Sequence, residues 1–420
     1  MQTNEIIIIV GGGACGLIAA KELLNHGKKV ILLEATNRLG GRIHTLYEGN
    51  PAIAIEAGAE FIHGKLPVTF GLLKEYKLKV QETGGKMVYA NKTNYQDYDQ
   101  DNWVKLMQKM AELKIDLPLS EFLSTYFPED RHSGFRKSVE GFANGFDLAS
   151  PDLASTFSLR DEWSKEDEEQ YRMCGGYKKL IDALHNDCAS KGCEIHRSEI
   201  VKKIQWKKNE VIVLTEKGNV FYGAKALITI PAGVWHSDPN SIRFEPAISA
   251  TIEAFNKIGF GSVIKIILHF REAFWEKKYK NLGFLITDEF IPTWWTQAPE
   301  KNNMVTGWIG TGLAKKLKGK SADELSGIAL QFLGSAFEID INHLKDMLIS
   351  SYVFNWDDDI FFRGGYSFSM IESPSARQFL REPVADTLFF AGEALYEGIM
   401  QGSVEAALWS GLDSSRKIIG

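Results

Sequence analysis

Ile6-Ile7-Ile8-Ile9-Val10-Gly11-Gly12-Gly13-Ala14-Cys15-Gly16, with Lys29-Val30-Ile31-Leu32-Leu33-Glu34 behind it, decides the fold. Ile6 to Val10 is an unbroken β-branched run, the pattern of a parallel strand buried on both faces. Gly11 supplies a tight turn, Gly13 lets backbone approach a pyrophosphate, and Gly16 lets the following helix, expected over Leu17 to His26, pack on the strand. Ala14 and Cys15 lie in this loop at the cofactor, and at the start of the helix free N–H groups and the positive end of the helix dipole favour phosphate. Gly27 ends the helix and Lys29 to Leu33 forms a second strand. Glu34 then stands where a carboxylate accepts hydrogen bonds from both ribose hydroxyls, with Ala35 beside it. Strand, glycines, helix and acid in register indicate a dinucleotide site.

Which dinucleotide depends on Arg38-Leu39-Gly40-Gly41-Arg42. A nicotinamide dehydrogenase would normally run on into its third strand at this point. Here a doubled glycine sits between two arginines, so backbone can lie against something flat or charged, and Arg42 can neutralise a pyrophosphate. Following directly on the ribose acid, the segment resembles the flavin-containing amine oxidases, the group that includes monoamine oxidases, polyamine oxidases and flavin-dependent histone-lysine demethylases. The resemblance implies FAD, with its adenosine on the Gly11–Glu34 unit and with Arg38, Gly41 and Arg42 at the cofactor.

Length and composition suit an enzyme of that size. The 420 residues suggest two to three domains, 44% of them are hydrophobic, and the 12 prolines form no linker-like tract. A net charge of −6 without a basic patch argues against nucleic acid as the main partner. The four cysteines lack metal-ligand spacing and read as reduced thiols of a cytoplasmic protein, so no metal site is expected. Five residues including Glu5 precede the first strand, too few for a signal peptide, and no apolar run reaches a membrane span. Animal monoamine oxidases carry a C-terminal membrane anchor; none is read here, and a soluble protein is expected.

Alternating strand-rich and helix-rich stretches suggest an α/β fold with two discontinuous domains. A Rossmann-type FAD-binding domain, a parallel sheet plus antiparallel strands, is expected over residues 1–75, 190–250 and 376–420. An α+β substrate domain is expected over 76–189 and 251–375. Residues 76 to 190 read mostly as helix: Trp103, Leu106, Met107, Met110 and Leu113 fall at helical spacing, as do Phe135, Val139, Phe142 and Phe146. The acidic stretch Asp161 to Glu169 reads as a solvated helix face or loop. Strands are expected at Val201–Trp206, Val211–Val213, Ala224–Ile230, Ser262–Phe270, Asn303–Ile309 and Leu348–Phe354, and a helix at Ser321–Phe337.

Further segments resemble the same family. In Glu56-Ala57-Gly58-Ala59-Glu60-Phe61-Ile62-His63-Gly64 the resemblance implies that Gly58, Ala59, Glu60 and Phe61 line the flavin, the Gly-Ala pair through backbone N–H groups. Val201 falls where the family reads the adenine edge with backbone. Near the end, Leu388-Phe389-Phe390-Ala391-Gly392-Glu393 reads as a buried strand, and Gly402-Ser403-Val404 opens a helix. The resemblance places Gly392 and Glu393 at the pyrophosphate and ribityl chain. It places the helix N-terminus at Ser403 and Val404 against the flavin N1/O2 edge, where the helix dipole favours the charge of a reduced flavin. Gly365 stands where monoamine oxidases carry the cysteine that bonds the flavin, which implies non-covalent FAD.

Chemistry points to Lys265, within Ile264-Lys265-Ile266-Ile267-Leu268-His269-Phe270. A lysine in so apolar a strand is costly unless paired or functional; alternatively, period-two alternation turns it and His269 to solvent. The strand resembles the family strand whose lysine holds a water against flavin N5, the proposed catalytic residue. Tyr366 resembles one aromatic of the pair that sandwiches the substrate nitrogen, and Ile399 stands where the second aromatic usually lies. Trp294, Trp295 and Trp308 are candidates either for a substrate channel or for core. His63 resembles the polyamine-oxidase histidine that contacts an amine chain; a loop histidine capping local backbone is the plainer reading.

These residues imply FAD-dependent oxidation of a polyamine or another primary or secondary amine, with oxygen reduced to hydrogen peroxide. An L-amino-acid oxidase needs a cation for the carboxylate, and the 56–64 segment has Glu60 and His63 but no arginine. A carotenoid-desaturase-like flavoprotein would not need Lys265. A non-catalytic flavin-binding interaction protein is the third alternative, although no extra module for partners is visible.

Overall fold

The protein is described by a computed structural model covering residues 5–49, 53–90, 100–164, 169–287 and 289–420. It divides into two discontinuous units, Met1–Val80 with Met173–Phe260 and Asp359–Gly420, and Gln81–Arg172 with Gly261–Asp358.

The first unit is built on a five-stranded parallel sheet in the order Leu388–Phe390, Lys225–Ile228, Ile6–Val10, Lys29–Glu34, Glu194–Arg197. The isoleucine run is central because both its faces are covered: Ile7, Ile8 and Ile9 have no exposed surface. One face packs with a smaller four-stranded sheet containing Val201–Lys207 and Glu210–Thr215, around Trp235, which stacks on Phe255 at 4.8 Å. The first helix spans Ala14–Asn25, starting a turn earlier than expected because the turn itself needs only Gly11 to Gly13. It packs against the C-terminal helix Val404–Ile419, where a methyl on Gly411 would stand 2.4 Å from the Cys15 carbonyl oxygen.

Several segments expected in the second domain group with the first instead: 76–80, 173–189, 251–260 and 359–375. The physical reason is clearest for the helix Lys178–Ser190. Its buried face (Leu180, Ile181, Leu184, Cys188) packs on the first helix, and the Cys188 thiol donates to the Leu17 carbonyl at 3.4 Å.

The second unit carries a six-stranded sheet in the order Leu348–Asn355, Ile264–Phe270, Met304–Ile309, Thr293–Thr296, Leu282–Thr287, Lys86–Ala90. Its pairs are antiparallel except the last, which is parallel. The helix Ala322–Phe337 covers one face, opened by a reciprocal capping box between Ser321 and Glu324. Trp294 stacks on Phe332 of that helix at 5.2 Å, so it is core and not channel lining. Lys86–Ala90 corrects the reading of 76–190 as helical. Its Met87 and Tyr89 are exposed while Val88 packs on the core, an alternation too short to stand out. The stretch does contain the two helices expected from spacing, Gln100–Glu112 and Ser133–Gly145, together with Leu119–Tyr126 and Thr156–Trp163 and two further short strands, Val80–Glu82 and Gln170–Met173. Of the acidic stretch, residues 165–168 lie outside the described residues.

One long-range contact ties the first unit together. Glu405, buried in the first turn of the C-terminal helix, accepts from the Val68 and Thr69 N–H groups at 2.9 and 2.8 Å and from the Thr69 hydroxyl at 2.6 Å. Its carboxylate therefore caps the helix Pro67–Glu75, whose own N-cap, Leu66, offers no side-chain acceptor. Glu405→Ala leaves these donors without their acceptor and is expected to lower stability by about 2–4 kcal/mol, read as an earlier urea midpoint; an unchanged midpoint would show that solvent replaces the cap.

Candidate active site

Two glycine turns build the nucleotide end of the first unit. Gly11 has φ +116°, and a methyl there would meet the Thr229 hydroxyl at 2.4 Å; one on Gly16 would stand 2.0 Å from the Gly11 carbonyl oxygen. The Arg38–Arg42 turn lies against this first turn. The Gly40 N–H donates to the Gly12 carbonyl at 2.9 Å, and a methyl on Gly41 would come 3.5 Å from the Gly13 Cα. What the doubled glycine lies against is thus protein backbone, that of the first turn.

Glu34 is 7% exposed at the end of its strand. One carboxylate oxygen accepts from the Gly12 N–H at 2.8 Å, the other from the Thr36 N–H at 2.8 Å and its hydroxyl at 2.7 Å. Each oxygen has two lone pairs, so the first retains an acceptor position for a ribose hydroxyl. Ala35 follows, half-buried, and the Glu199 N–H donates to the Glu34 carbonyl at 2.8 Å, which fixes the approach to Val201. Val201 itself is buried opposite Thr215, where the register shifts before Lys203.

The two arginines are held inside the protein. Arg38 donates to the carbonyls of Gly41 at 2.7 Å and Ile43 at 3.3 Å, its guanidinium 5.7 Å from the Phe362 ring, and burial lowers its pKa. Arg42 donates to the Gly365 carbonyl at 2.6 Å and to Glu393 at 2.9 Å. The other Glu393 oxygen accepts from the Ser367 hydroxyl at 2.6 Å. Arg42 and Glu393, both expected as cofactor ligands, are thus first of all each other's partners, because a buried carboxylate requires a counterion. Burial, with Glu393 nearby, pushes the Cys15 thiol far up, so it stays protonated in the helix turn.

In the 56–64 segment the Ala59 N–H donates to the Arg42 carbonyl at 3.1 Å, which ties this segment to the second glycine turn. Glu60 is buried, and Phe61 and His63 are half-buried with ring centroids 6.2 Å apart on alternate positions of one short strand. At the far end of the chain, Gly392 has φ +153° and its N–H donates to the Ser410 hydroxyl at 3.0 Å. Ser403 caps the C-terminal helix, accepting from the Ala406 N–H at 3.1 Å, and Val404 is its first residue. Tyr366 lies close to this helix start: a methyl on Gly402 would come 2.7 Å from its ring. Ile399 is 51% exposed, while nearby Gln401 is drawn inward by Arg377 at 2.9 Å and Ser369 at 2.7 Å.

Do these residues fit a dinucleotide? A methyl on Gly13 would meet nothing within 4 Å, and the same holds at Gly392, so backbone is bare beside open space at both turns. The first helix has no side-chain cap and no acid in its first turn, which leaves its N-terminal N–H groups for an anion. The fit is good.

In the second unit Lys265 is 1% exposed, and its Nζ lies 5.4 Å from the Trp295 ring centroid. It pairs across the sheet with Trp308 on one side and Phe354 on the other. Alternation puts Lys265, Trp295 and Trp308 on the face opposite Trp294, with the Trp295 and Trp308 rings 5.8 Å apart. The solvent-facing reading of Lys265 is therefore excluded. Sequence reasoning did not single out Thr36, Ser367, Arg377 or Glu405. Thr36 had a signal in lying two residues beyond the acid; the others act across distant parts of the chain.

Replacing Glu34 by alanine removes the acceptor for Gly12 and Thr36 and the lone pair expected to serve ribose. Purified Glu34→Ala is expected to hold less than about a tenth of the wild-type flavin, as one to two charge-assisted hydrogen bonds are lost; full absorbance near 450 nm would refute the assignment of Glu34.

Comparison with known proteins agrees with this geometry. A profile of the family described as "Flavin containing amine oxidoreductase" matches residues 14–132 and 112–419. Polyamine oxidase 2 of Arabidopsis thaliana is 28% identical over 97% of this chain and 86% of its own length. Lysine-specific histone demethylase 2 of Homo sapiens is 24% identical over 99% of this chain, which spans only 53% of that protein. Among solved structures, putrescine oxidase bound to putrescine and cyclohexylamine oxidase from Brevibacterium oxydans each superpose with a TM-score of 0.81 at 18% identity, covering 99% of both chains, and so share the fold. No helix among the described residues is long and apolar enough to cross a membrane, and no cluster there has the ligands for a metal. With the family profile matched along nearly its whole length, the chain belongs to the flavin-containing amine oxidoreductases.

Proposed function

We propose that this enzyme oxidises polyamines or other primary and secondary amines, with non-covalent FAD and with oxygen as acceptor, in the cytoplasm. The observation that carries the reading is Lys265, buried on an aromatic face of its sheet with its Nζ 5.4 Å from the Trp295 ring. The chemistry that FAD would supply when bound is hydride acceptance from the carbon next to a neutral amine and passage of the electron pair to oxygen, giving hydrogen peroxide. The protein's part is to orient and desolvate. In the second unit Lys265 holds a water by hydrogen bonding, with Trp295 beside it as a substrate residue; in the first unit Tyr366, His63 and Ile399 are assigned to the substrate. Gly11, Gly13, Ala14, Cys15, Gly16, Glu34, Ala35 and Val201 hold the adenosine and pyrophosphate. Gly41, Gly58, Glu60, Phe61, Gly392, Ser403 and Val404 complete the cofactor site, with Arg38, Arg42 and Glu393 bracing it.

Amines are favoured over amino acids because the 56–64 segment carries no arginine. A substrate carboxylate there would be desolvated without a bidentate partner. Polyamine oxidase 2, which this chain covers over most of its length, supports the same class.

Three measurements check the proposal. Acid precipitation is expected to release all the flavin into the supernatant; flavin left on the chain would refute non-covalent binding. Peroxide release is expected with spermine, spermidine, putrescine or aryl amines; release from L-leucine or L-phenylalanine alone would assign an amino-acid oxidase. Lys265→Met is expected to keep FAD yet slow turnover and aerobic flavin reoxidation by about a hundredfold or more; unchanged rates would make Lys265 structural.

A further inference from the structure

Thr306 has no exposed surface, and its hydroxyl finds no hydrogen-bond partner among the described residues. Other buried threonines of the same unit are satisfied: Thr296 donates to the Leu282 carbonyl at 2.5 Å and Thr311 to the Leu148 carbonyl at 2.6 Å. A valine would fill the same volume and suit a strand as well, so a bare hydroxyl here calls for a reason.

Its position supplies one. The strand Met304–Ile309 runs between the lysine strand and the strand of Trp295, with Thr306 paired to Ile267 on one side and Trp295 on the other. Lys265 and Ile267 share a face by alternation, so Thr306 lies on the lysine's face; Gly307, on the other, packs under Trp294. Two strand spacings, about 10 Å, separate the lysine strand from the tryptophan strand. For its Nζ to come 5.4 Å from the Trp295 ring, the two side chains must meet over the intervening strand, which presents Thr306 and Trp308 on that face.

We infer that Thr306 is a positioning residue: its hydroxyl and the Lys265 ammonium hold one water between them. The ammonium donates to the water oxygen, and the water and the threonine hydroxyl form the second bond. Two fixed partners orient a buried water, whereas one leaves it free to swing. The inference rests on the proposed role of Lys265 and adds the second anchor.

Thr306→Val removes the hydroxyl at constant volume, and Thr306→Ser restores it. Crystal structures are expected to show a water within hydrogen-bond reach of both residues in the wild type and none there in Thr306→Val. Aerobic flavin reoxidation is expected to slow roughly tenfold in Thr306→Val, the worth of one hydrogen bond, and to stay within about twofold of wild type in Thr306→Ser. The flavin-free Thr306→Val protein is expected to melt no higher than flavin-free wild type. A higher melting temperature would mean a hydroxyl that is merely unsatisfied, and would overturn the inference, as would a water that persists in Thr306→Val. Normal reoxidation in Thr306→Val with slow reoxidation in Lys265→Met would overturn the role of Thr306 alone. Normal reoxidation in both would overturn the role of Lys265 as well.

Discussion

A methyl group at position 16 would lie 2.0 Å from the Gly11 carbonyl oxygen, so the first helix can leave the first strand at its observed angle only if that methyl is absent. The rest of the nucleotide unit depends on this approach. It aims the uncapped N-terminus of the helix past the end of the strand and brings Gly12 onto the Glu34 carboxylate. It also leaves room for the second glycine turn to hydrogen bond to the first. Backbone here does what side chains do elsewhere, because an anion is best met by N–H groups that no side chain shields.

Around that backbone the buried charges are matched within the unit. Arg42 bridges Glu393 and the Gly365 carbonyl, joining segments 323 and 351 residues apart in sequence. Arg377 is 2% exposed and donates to the Ala394 carbonyl, the Ser369 hydroxyl and Gln401, while burial lowers its pKa to about 10. It therefore stays charged at neutral pH and pins the loop that leads into the C-terminal helix. Losing one partner of such a set costs more than the pair contributes, since the survivor is left charged and dry.

What was legible in the sequence was what neighbouring residues decide. The isoleucine run, the glycine spacing and the Lys29–Glu34 run pointed to strand, turn, helix and second strand because each is local or periodic. Lys265 stood out because an ammonium amid isoleucines is costly wherever it sits. Alternation alone was enough to separate Trp294 from Trp295, yet which of the two faced the core depended on the helix carrying Phe332. The short strand Lys86–Ala90 escaped notice because its parallel partner lies some two hundred residues away. Ala59, Glu405 and Arg377 have roles set by groups elsewhere in the chain, which no local pattern encodes. Thr306 looked like any strand threonine until its neighbours were known.

The cap that Glu405 places on Val68 and Thr69 has a consequence for how the chain is made. The contact with Val68 spans 337 residues, and the outer strand Leu388–Phe390 joins the same sheet from the same late segment. At 5–20 residues per second, synthesis of that interval takes roughly 15–70 s. Throughout it the strand Lys225–Ile228 has an unpaired edge, or is not yet made, and the first helix lacks its partner. Long-range closure of this kind is slow and leaves apolar surface open to wrong partners. The nucleotide unit thus begins to emerge long before it can become native, and its yield in a cell depends on protection of the nascent chain over that interval.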